Sequence, residues 1–196
     1  MSSRDAILAA LRKAAPPSSP LPEPPAGIAY PDPVAQFAAM VAAVGGACIR
    51  VPDLGALDVE LAKLPSYATA RRTVSLVAGA GASNLDLAAL GDPHELEGLD
   101  VAIVPGEIGV AENAAVWVPG SSLGPHRAVF VIAEHLVLVV RAERIVHTMH
   151  QAYERIRLER PGFGVFLCGP SKTADIEQAL VIGAHGPRSC TVFVLG

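Results

Sequence analysis

The feature that most constrains the fold is a series of short apolar runs, rich in valine, isoleucine and leucine, without alternating polar residues. These runs lie at 47–51, 73–78, 101–104, 116–118, 128–133, 136–140, 163–168 and 190–195. A strand with one wet face alternates apolar and polar residues, so unbroken apolar runs indicate strands of a parallel sheet buried on both faces. Segments with helical features separate most of the runs, at 34–44, 54–64, 84–90, 141–158 and 172–182. The sequence therefore predicts an α/β fold with an open, mostly parallel, doubly wound sheet.

The composition excludes several classes of protein. Hydrophobic residues make up 51% of the chain and charged residues 17%, which is the opposite of a disordered sequence. A net charge of −4, with 5% aromatic residues and no basic run, argues against a nucleic-acid partner. The longest uncharged segment, 33–49, is interrupted by Gly45-Gly46 and is shorter than the roughly 20 apolar residues of a membrane span.

The cysteines and the N-terminus indicate the compartment. The three cysteines are widely spaced and lie in apolar runs, which is typical of buried thiols in a reducing environment. The apolar stretch before Arg12 is too short for a secretory signal. We therefore expect a cytoplasmic protein.

Residues 1–33 are expected to form a helical arm and a linker. Ser2 and Asp5 have the spacing of a capping box before an amphipathic segment, which predicts a helical arm over 1–15. The segment 16–33 holds eight of the 17 prolines and should be an extended, semi-rigid linker. Residues 34–196 would then form the α/β domain. The arm is free to pack on its own domain, on a second copy in a homo-oligomer, or on another partner.

A late motif around Ser171 predicts an anion site. Gly169 and Ser171 follow an apolar run, and Thr173 and Asp175 would lie in the first turn of a helix over 172–182. The free backbone amides and the positive end of that helix would favour a carboxylate or a phosphate. Ordinary helix capping explains the same composition, so both interpretations remain open.

The segment 183–188 adds two further candidates. His185 follows Gly183, and either an acid–base role or a hydrogen bond to the helix end suits it. Arg188 could bind a carboxylate through two parallel hydrogen bonds or could be solvated.

Glu112 is the remaining candidate, because it lies between two apolar runs, where a carboxylate is costly unless it has a partner. It could act as a nucleophile or a base, or it could accept hydrogen bonds from backbone amides. His147, His150 and Glu154 share one face of the predicted helix over 141–158, but no fourth ligand follows at a diagnostic spacing. We therefore predict no metal site.

Two of these segments resemble the LUD (lactate-utilisation) domain family, in its LutC/YkgG branch. Gly109-Val-Ala-Glu-Asn113 is similar to the family's G-I-A-E-[ST]-G segment, although Asn113-Ala114 stands where the family usually has Ser/Thr-Gly. Residues 169–177 match G-P-S-x-T-A-D-I-E, and residues 183–187 match G-x-H-G-P.

The resemblance implies a fold similar to the NagB/RpiA/CoA-transferase-like superfamily. It also implies an accessory subunit of an L-lactate-oxidising complex, with no cofactor in this chain and with iron–sulfur clusters in partner subunits. In that interpretation the 171–177 segment binds a small carboxylate or phosphate, with Glu112 and His185 nearby as candidate catalytic groups. Two alternatives remain open, namely an acyl- or CoA-transferring enzyme with Glu112 as its nucleophile and a scaffold without a site.

Overall fold

The computed structural model describes residues 2–16, 19–23, 27–158, 162–174 and 180–196. The helices are α1 (Ser3–Ala14), α2 (Pro33–Ala43), α3 (Leu54–Ala62), α4 (Pro65–Ala68), α5 (Val129–Ile132) and α6 (Met149–Arg155). The strands are β1 (Ala47–Val51), β2 (Thr73–Ser75), β3 (Val101–Pro105), β4 (Ile108–Val110), β5 (Val116–Pro119), β6 (His135–Arg141), β7 (Ile145–Val146), β8 (Gly164–Leu167), β9 (Lys172–Thr173), β10 (Val181–Ile182) and β11 (Ser189–Leu195). Short 3-10 helices cover Leu87–Ala89, Pro93–Leu96, Gly120–Leu123 and Ala142–Arg144.

Five strands form a wholly parallel central sheet in the order β1-β11-β6-β3-β2. The strand β11 lies between β1 and β6, with Thr191 opposite both Ala47 and Val137. The predicted parallel sheet is thus confirmed, and all five carboxyl ends meet at one edge.

The sheet is buried on both faces, as its apolar runs predict. In β6, Leu136, Leu138 and Val140 belong to one hydrophobic cluster, whereas Val137 and Val139 belong to another. The second cluster includes residues of α3, which covers its face together with α4. The first cluster is shared with α2, α5 and strands of a second sheet, so this face is covered by helices and strands together.

The second sheet has four strands in the order β7-β4-β5-β8 and is mixed. Its strands β4 and β5 form an antiparallel hairpin, and β8 pairs antiparallel with β5. Trp117 on β5 packs against Phe166 on β8, with ring centroids 4.9 Å apart. A Cβ at Gly164 would collide with the Trp117 ring, so the close approach of these strands requires glycine there.

Several predicted elements are wrong. The run 128–133 contains the short helix α5 rather than a strand, and the segment 84–90 forms only a 3-10 turn. The predicted helix over 141–158 is broken up: β6 continues to Arg141, β7 follows, and α6 begins only after Thr148, whose hydroxyl accepts from the amide of Gln151. The segment between β6 and α6 pairs with β4, and this tertiary pairing overrides helical propensity.

The predicted helix over 172–182 is wrong at both of its described ends. The strand β9 (Lys172–Thr173) pairs antiparallel with β10 (Val181–Ile182). The intervening residues 175–179, and with them Asp175, lie outside the described part of the chain.

The helix α1 has the predicted capping box, with Ser2 and Asp5 bonded reciprocally. None of the residues of α1 is buried. The division into arm, linker and domain stays a prediction. Among the described residues, no helix is long and apolar enough to cross a membrane.

Candidate functional site

A cleft lies along the edge where the five parallel strands end. Its cavity of about 520 Å³ is lined by residues at or just after the end of each strand: Leu54, Val77, Pro105, Arg141 and Leu195. In open parallel sheets this edge is where ligands bind, because the loops that leave the strands diverge there. The position makes the cleft the candidate binding site.

Two arginines dominate the chemistry of the cleft. Arg141 is the last residue of β6, and Arg144 ends the 3-10 turn that follows it. Among the described residues, the nearest carboxylate oxygens are 3.9 Å away, at Glu143 for Arg141 and at Glu107 for Arg144. These separations exceed a hydrogen bond, so both guanidinium groups keep N–H donors for an anionic ligand.

Glu107 and two hydroxyls complete the cleft. Glu107 follows β3, and its backbone amide donates to the carbonyl of Trp117 at 2.8 Å, which fixes this loop against β5. Ser121 and Ser122 lie in the 3-10 turn after β5 and supply hydroxyl groups to the wall. The cleft thus combines cationic donors, neutral hydroxyls and one half-exposed carboxylate. This combination suits a small carboxylate with polar substituents.

Arg141 and Arg144 were not predicted as site residues, because both fall in the segment 141–158 that was predicted to be a helix. A usable signal was present: Arg141 directly follows an unbroken apolar run, so it occupies the carboxyl end of a buried strand. Glu107 holds the equivalent position after β3.

Glu112 lies outside this cleft, in the turn between β4 and β5. It is half-buried, and its Oε1 accepts a hydrogen bond of 2.9 Å from the backbone amide of Met149. Its own amide donates to the carbonyl of His147 at 3.1 Å. The carboxylate therefore caps the first turn of α6, which favours the structural interpretation of Glu112. Its assignment as a nucleophile stays a prediction.

The turn that carries Glu112 also holds Ala114 in a left-handed conformation, with φ +63°. The amide of Ala114 donates to the carbonyl of Val110, and the amide of Val110 donates to the carbonyl of Ala115, which closes the hairpin. The resemblance places a glycine at position 114, and the backbone explains that preference, because glycine adopts positive φ without strain.

The late motif begins beside the Glu112 turn, because Cys168 donates to the carbonyl of Asn113, and it continues toward Pro187. The amide of Ser171 donates to the carbonyl of Pro187 at 2.8 Å, and the amide of Gly183 donates to the carbonyl of Ser171 at 3.0 Å. Gly169 has φ +69° and lies against the backbone of Val44, before β1 begins. Thr173 is in β9 rather than in a helical turn. The predicted anion site therefore lacks the helix start that motivated it, and a binding role for Gly169, Ser171, Thr173, Asp175 and Arg188 stays a prediction.

His185 and Arg188 line a cavity of about 630 Å³ at the opposite, amino-terminal edge of the sheet. Arg188 is paired with Glu134, the residue before β6, through an Nη1–Oε1 contact of 2.8 Å. The amide of Arg188 also donates to the carbonyl of Glu134 at 2.7 Å. Arg188 thus holds the approach to β11 beside β6, while His185 is exposed at the rim. Glu112 is bonded to Met149 of α6, whereas His185 lines this cavity, and no hydrogen bond or ion pair joins the two among the described residues.

The three cysteines and His147 lie outside the cleft and differ in exposure and in hydrogen bonding. Cys190 is buried and Cys48 half-buried, but Cys168, predicted to be buried, is exposed and donates to the carbonyl of Asn113 at 3.0 Å. His147 accepts a hydrogen bond of 3.0 Å from the amide of Tyr30 through Nδ1. Within the described residues no group of histidine, cysteine and carboxylate side chains is arranged to hold a metal ion.

The parallel sheet and its carboxyl-edge cleft define an α/β protein with an open sheet. More specifically, the chain belongs to the LUD domain family, whose sequence profile matches residues 88–195. The matched segment contains both cleft arginines, Glu107 and the two serines.

Several curated relatives carry the name lactate utilization protein C. The protein from Shouchella clausii is 34% identical over 107 residues, which cover 52% of this chain and 46% of that protein. The protein from a Geobacillus species is 34% identical over 124 residues, covering 60% of this chain and 48% of that protein. The aligned region thus spans about half the length of these relatives. A longer alignment, to the protein from Geobacillus thermodenitrificans, is 31% identical over 169 residues and covers 79% and 65% of the two chains.

A solved structure shares the fold. The crystal structure of a DUF162 family protein from Deinococcus radiodurans matches with a TM-score of 0.58 and 21% sequence identity. The match covers 86% of this chain and 99% of that one. The architecture described above is therefore that of an experimentally known fold.

Proposed function

We propose that this chain acts in lactate utilisation as a subunit that binds a small carboxylate at the carboxyl edge of its parallel sheet. The observation that carries the proposal is the pair Arg141 and Arg144 beside Ser121 in the cleft. A 2-hydroxy or 2-oxo acid presents one carboxylate and one neighbouring oxygen. Guanidinium groups and a serine hydroxyl are suitable partners for these two features. The names of the relatives support the same substrate class.

We propose that the oxidation of the bound acid takes place in partner subunits. We propose that these partners carry iron–sulfur clusters, while this chain binds and orients the acid. The exposed helix α1 is a suitable element for assembly, because none of its residues is buried and Ile7 and Leu11 are exposed. An apolar helix face without a covering partner is a common recognition element between proteins.

Ligand-observed NMR with L-lactate and pyruvate tests the binding step. Arg144→Gln removes one charged donor from the cleft while keeping a polar side chain, and it should weaken binding at least tenfold, since a charged hydrogen bond contributes about 1.5–3 kcal/mol. Arg50→Gln is the charge-matched control, because Arg50 is exposed on β1 and does not line the cleft. Equal affinities for the two variants would contradict the proposed site.

The assembly step needs a separate measurement. Affinity purification under anaerobic conditions from cells grown on lactate should recover iron–sulfur subunits with the full chain. A chain lacking residues 1–33 should lose these partners while keeping its affinity for the acid. Recovery of a clean, iron-free protein from the full chain would contradict the proposed complex.

A further inference from the structure

The cleft does not end at the two serines. It continues into a second cavity of about 450 Å³ that shares Glu107, Pro119 and Ser121 with the first as common walls. The second cavity has two arginines of its own, Arg127 and Arg157. We call the first cavity the inner chamber and the second the outer chamber.

Each outer arginine has a contact within the described residues that orients its guanidinium group. The guanidinium carbon of Arg127 lies 5.0 Å from the centroid of the Phe163 ring, which is a cation–π contact. Among the described residues, the Nη1 of Arg157 donates to the carbonyls of Glu154 at 2.7 Å and Ile156 at 2.9 Å. Both side chains are therefore oriented in advance of binding, which reduces the entropy lost when a ligand arrives.

The two chambers are larger than a single small acid requires. The six heavy atoms of lactate displace roughly four water molecules, or about 120 Å³ at 30 Å³ per water. That is less than a quarter of the inner chamber alone, whose volume is about 520 Å³. The inner chamber can therefore hold the carboxylate end of a longer ligand that reaches past Ser121.

The charges indicate what each end of such a ligand carries. Among the described residues that line the inner chamber, Arg141 and Arg144 are offset in part by Glu107, so the balance suits a single negative charge such as a carboxylate. Among the described residues, Arg127 and Arg157 add two positive charges in the outer chamber. Glu107 lines this chamber too, but its carboxylate is 3.9 Å from Arg144 of the inner chamber, so the outer arginines suit a phosphate group with a charge of about −1.5 to −2 at neutral pH.

We infer that the ligand is an elongated dianion, with a carboxylate in the inner chamber and a phosphate group in the outer chamber. This inference rests on the proposed function, because the carboxylate end is the group assigned to the inner chamber there. The phosphate end is the new element, and it can be tested separately from the carboxylate end.

Isothermal titration calorimetry with three synthetic probes separates the two ends. Hexanoate carries only the carboxylate, hexylphosphonate only the phosphate-like group, and 6-phosphonohexanoate both. The double probe should bind the full-length protein at least tenfold more tightly than hexanoate does. The gain should fall steeply with increasing salt, because it comes from exposed charges.

Variants assign the gain to the chambers. Arg127→Gln should remove the tenfold gain of the double probe while leaving hexanoate affinity unchanged, and Arg127→Lys should restore part of the gain. Arg157→Gln provides a second, independent removal of charge from the outer chamber. Arg144→Gln should weaken hexanoate and the double probe by the same factor.

Each outcome has one meaning. If the phosphonate brings no gain while hexanoate binding still depends on Arg144, the outer phosphate site is overturned and the proposed carboxylate site stands. If hexanoate binding is insensitive to Arg144→Gln but the phosphonate gain depends on Arg127, the carboxylate site fails and the outer phosphate site stands. Insensitivity of both probes to all three arginines overturns both proposals.

Discussion

Replacing Ala114 by glycine should leave the stability of the fold nearly unchanged, although the same replacement at the neighbouring Ala115 should be clearly destabilising. Both methyl groups are buried, with 2% and 4% of the residue exposed, and both residues lie in the β4–β5 hairpin. The two differ in backbone conformation, since Ala114 has φ +63° and Ala115 is not among the residues with positive φ. The pair therefore isolates the energy of one strained torsion.

The magnitude follows from three contributions. Changing alanine to glycine at either site costs about 0.4–1 kcal/mol through the greater freedom of the unfolded chain. It costs about 0.8 kcal/mol more through the lost burial of a methyl group. At Ala115 the sum is about 1.5 kcal/mol. At Ala114, relief of the left-handed conformation returns about 1–2 kcal/mol, so the net change is close to zero.

Urea denaturation followed by the fluorescence of Trp117 measures both changes. Trp117 is the single tryptophan of the chain and lies on β5, within the hairpin and opposite Ile108. The two variants should share one slope of free energy against urea, and their free energies of unfolding should differ by about 1.5 kcal/mol. An Ala114→Gly variant as destabilised as Ala115→Gly would refute the strained turn.

Three other perturbations have defined outcomes. Two hydrogen bonds from the backbone amides of Arg72 and Arg71 hold the pKa of the Asp100 carboxyl below its usual value. The stability that this carboxylate contributes is therefore present above its unfolded pKa and is lost as the pH falls through its folded pKa. Asp100→Asn should cost about 1 kcal/mol at pH 7 and flatten the acid limb of a pH–stability curve, and an unchanged acid limb would contradict this. Gly164→Ala should lower the free energy of unfolding by about 1–3 kcal/mol, because the added methyl group collides with the indole ring of Trp117. Gly91→Ala is the control in the same thermal melt. Its added methyl group would lie 3.8 Å from Glu95, so the cost should be well under 1 kcal/mol. Burial raises the pKa of the Cys190 thiol to about 12. A maleimide at pH 7.5 should therefore label the exposed Cys168 well before Cys190. Equal labelling rates in the folded protein would contradict the burial of Cys190 in β11.

The central sheet was predictable because its signal is local. A strand buried on both faces needs an unbroken apolar run, and the run at 47–51 coincides with β1 at both of its ends. The capping box of Ser2 and Asp5 is equally local, and its reciprocal hydrogen bonds form as predicted. Where only neighbours in the chain decide the outcome, the residue pattern is sufficient.

The candidate site was not predictable, because it depends on strand order. Arg144 and Ser121 line one cleft only because β6 lies beside β3 and the second sheet packs against them. Apolar runs give no register and no order, so many arrangements of the same strands are compatible with the sequence. The late motif failed for a related reason, since Lys172 and Thr173 have partners in β10 that local helix signals do not reveal. Strand pairing replaced the predicted helix in the late motif, at Lys172 and Thr173, and also between β6 and α6, where β7 pairs with β4.

The position of β11 has a consequence for how the protein is made. Its strand must enter between β1 and β6, both of which are synthesised earlier. Synthesis proceeds at about 5–20 residues per second, so β11 is made on the order of ten seconds after β1, the strand it pairs with. During that interval β6 has an unpaired edge and the apolar β1 segment has no sheet partner, and both are templates for association with other nascent chains. The protein should therefore depend on a holding chaperone during synthesis far more than its modest size suggests.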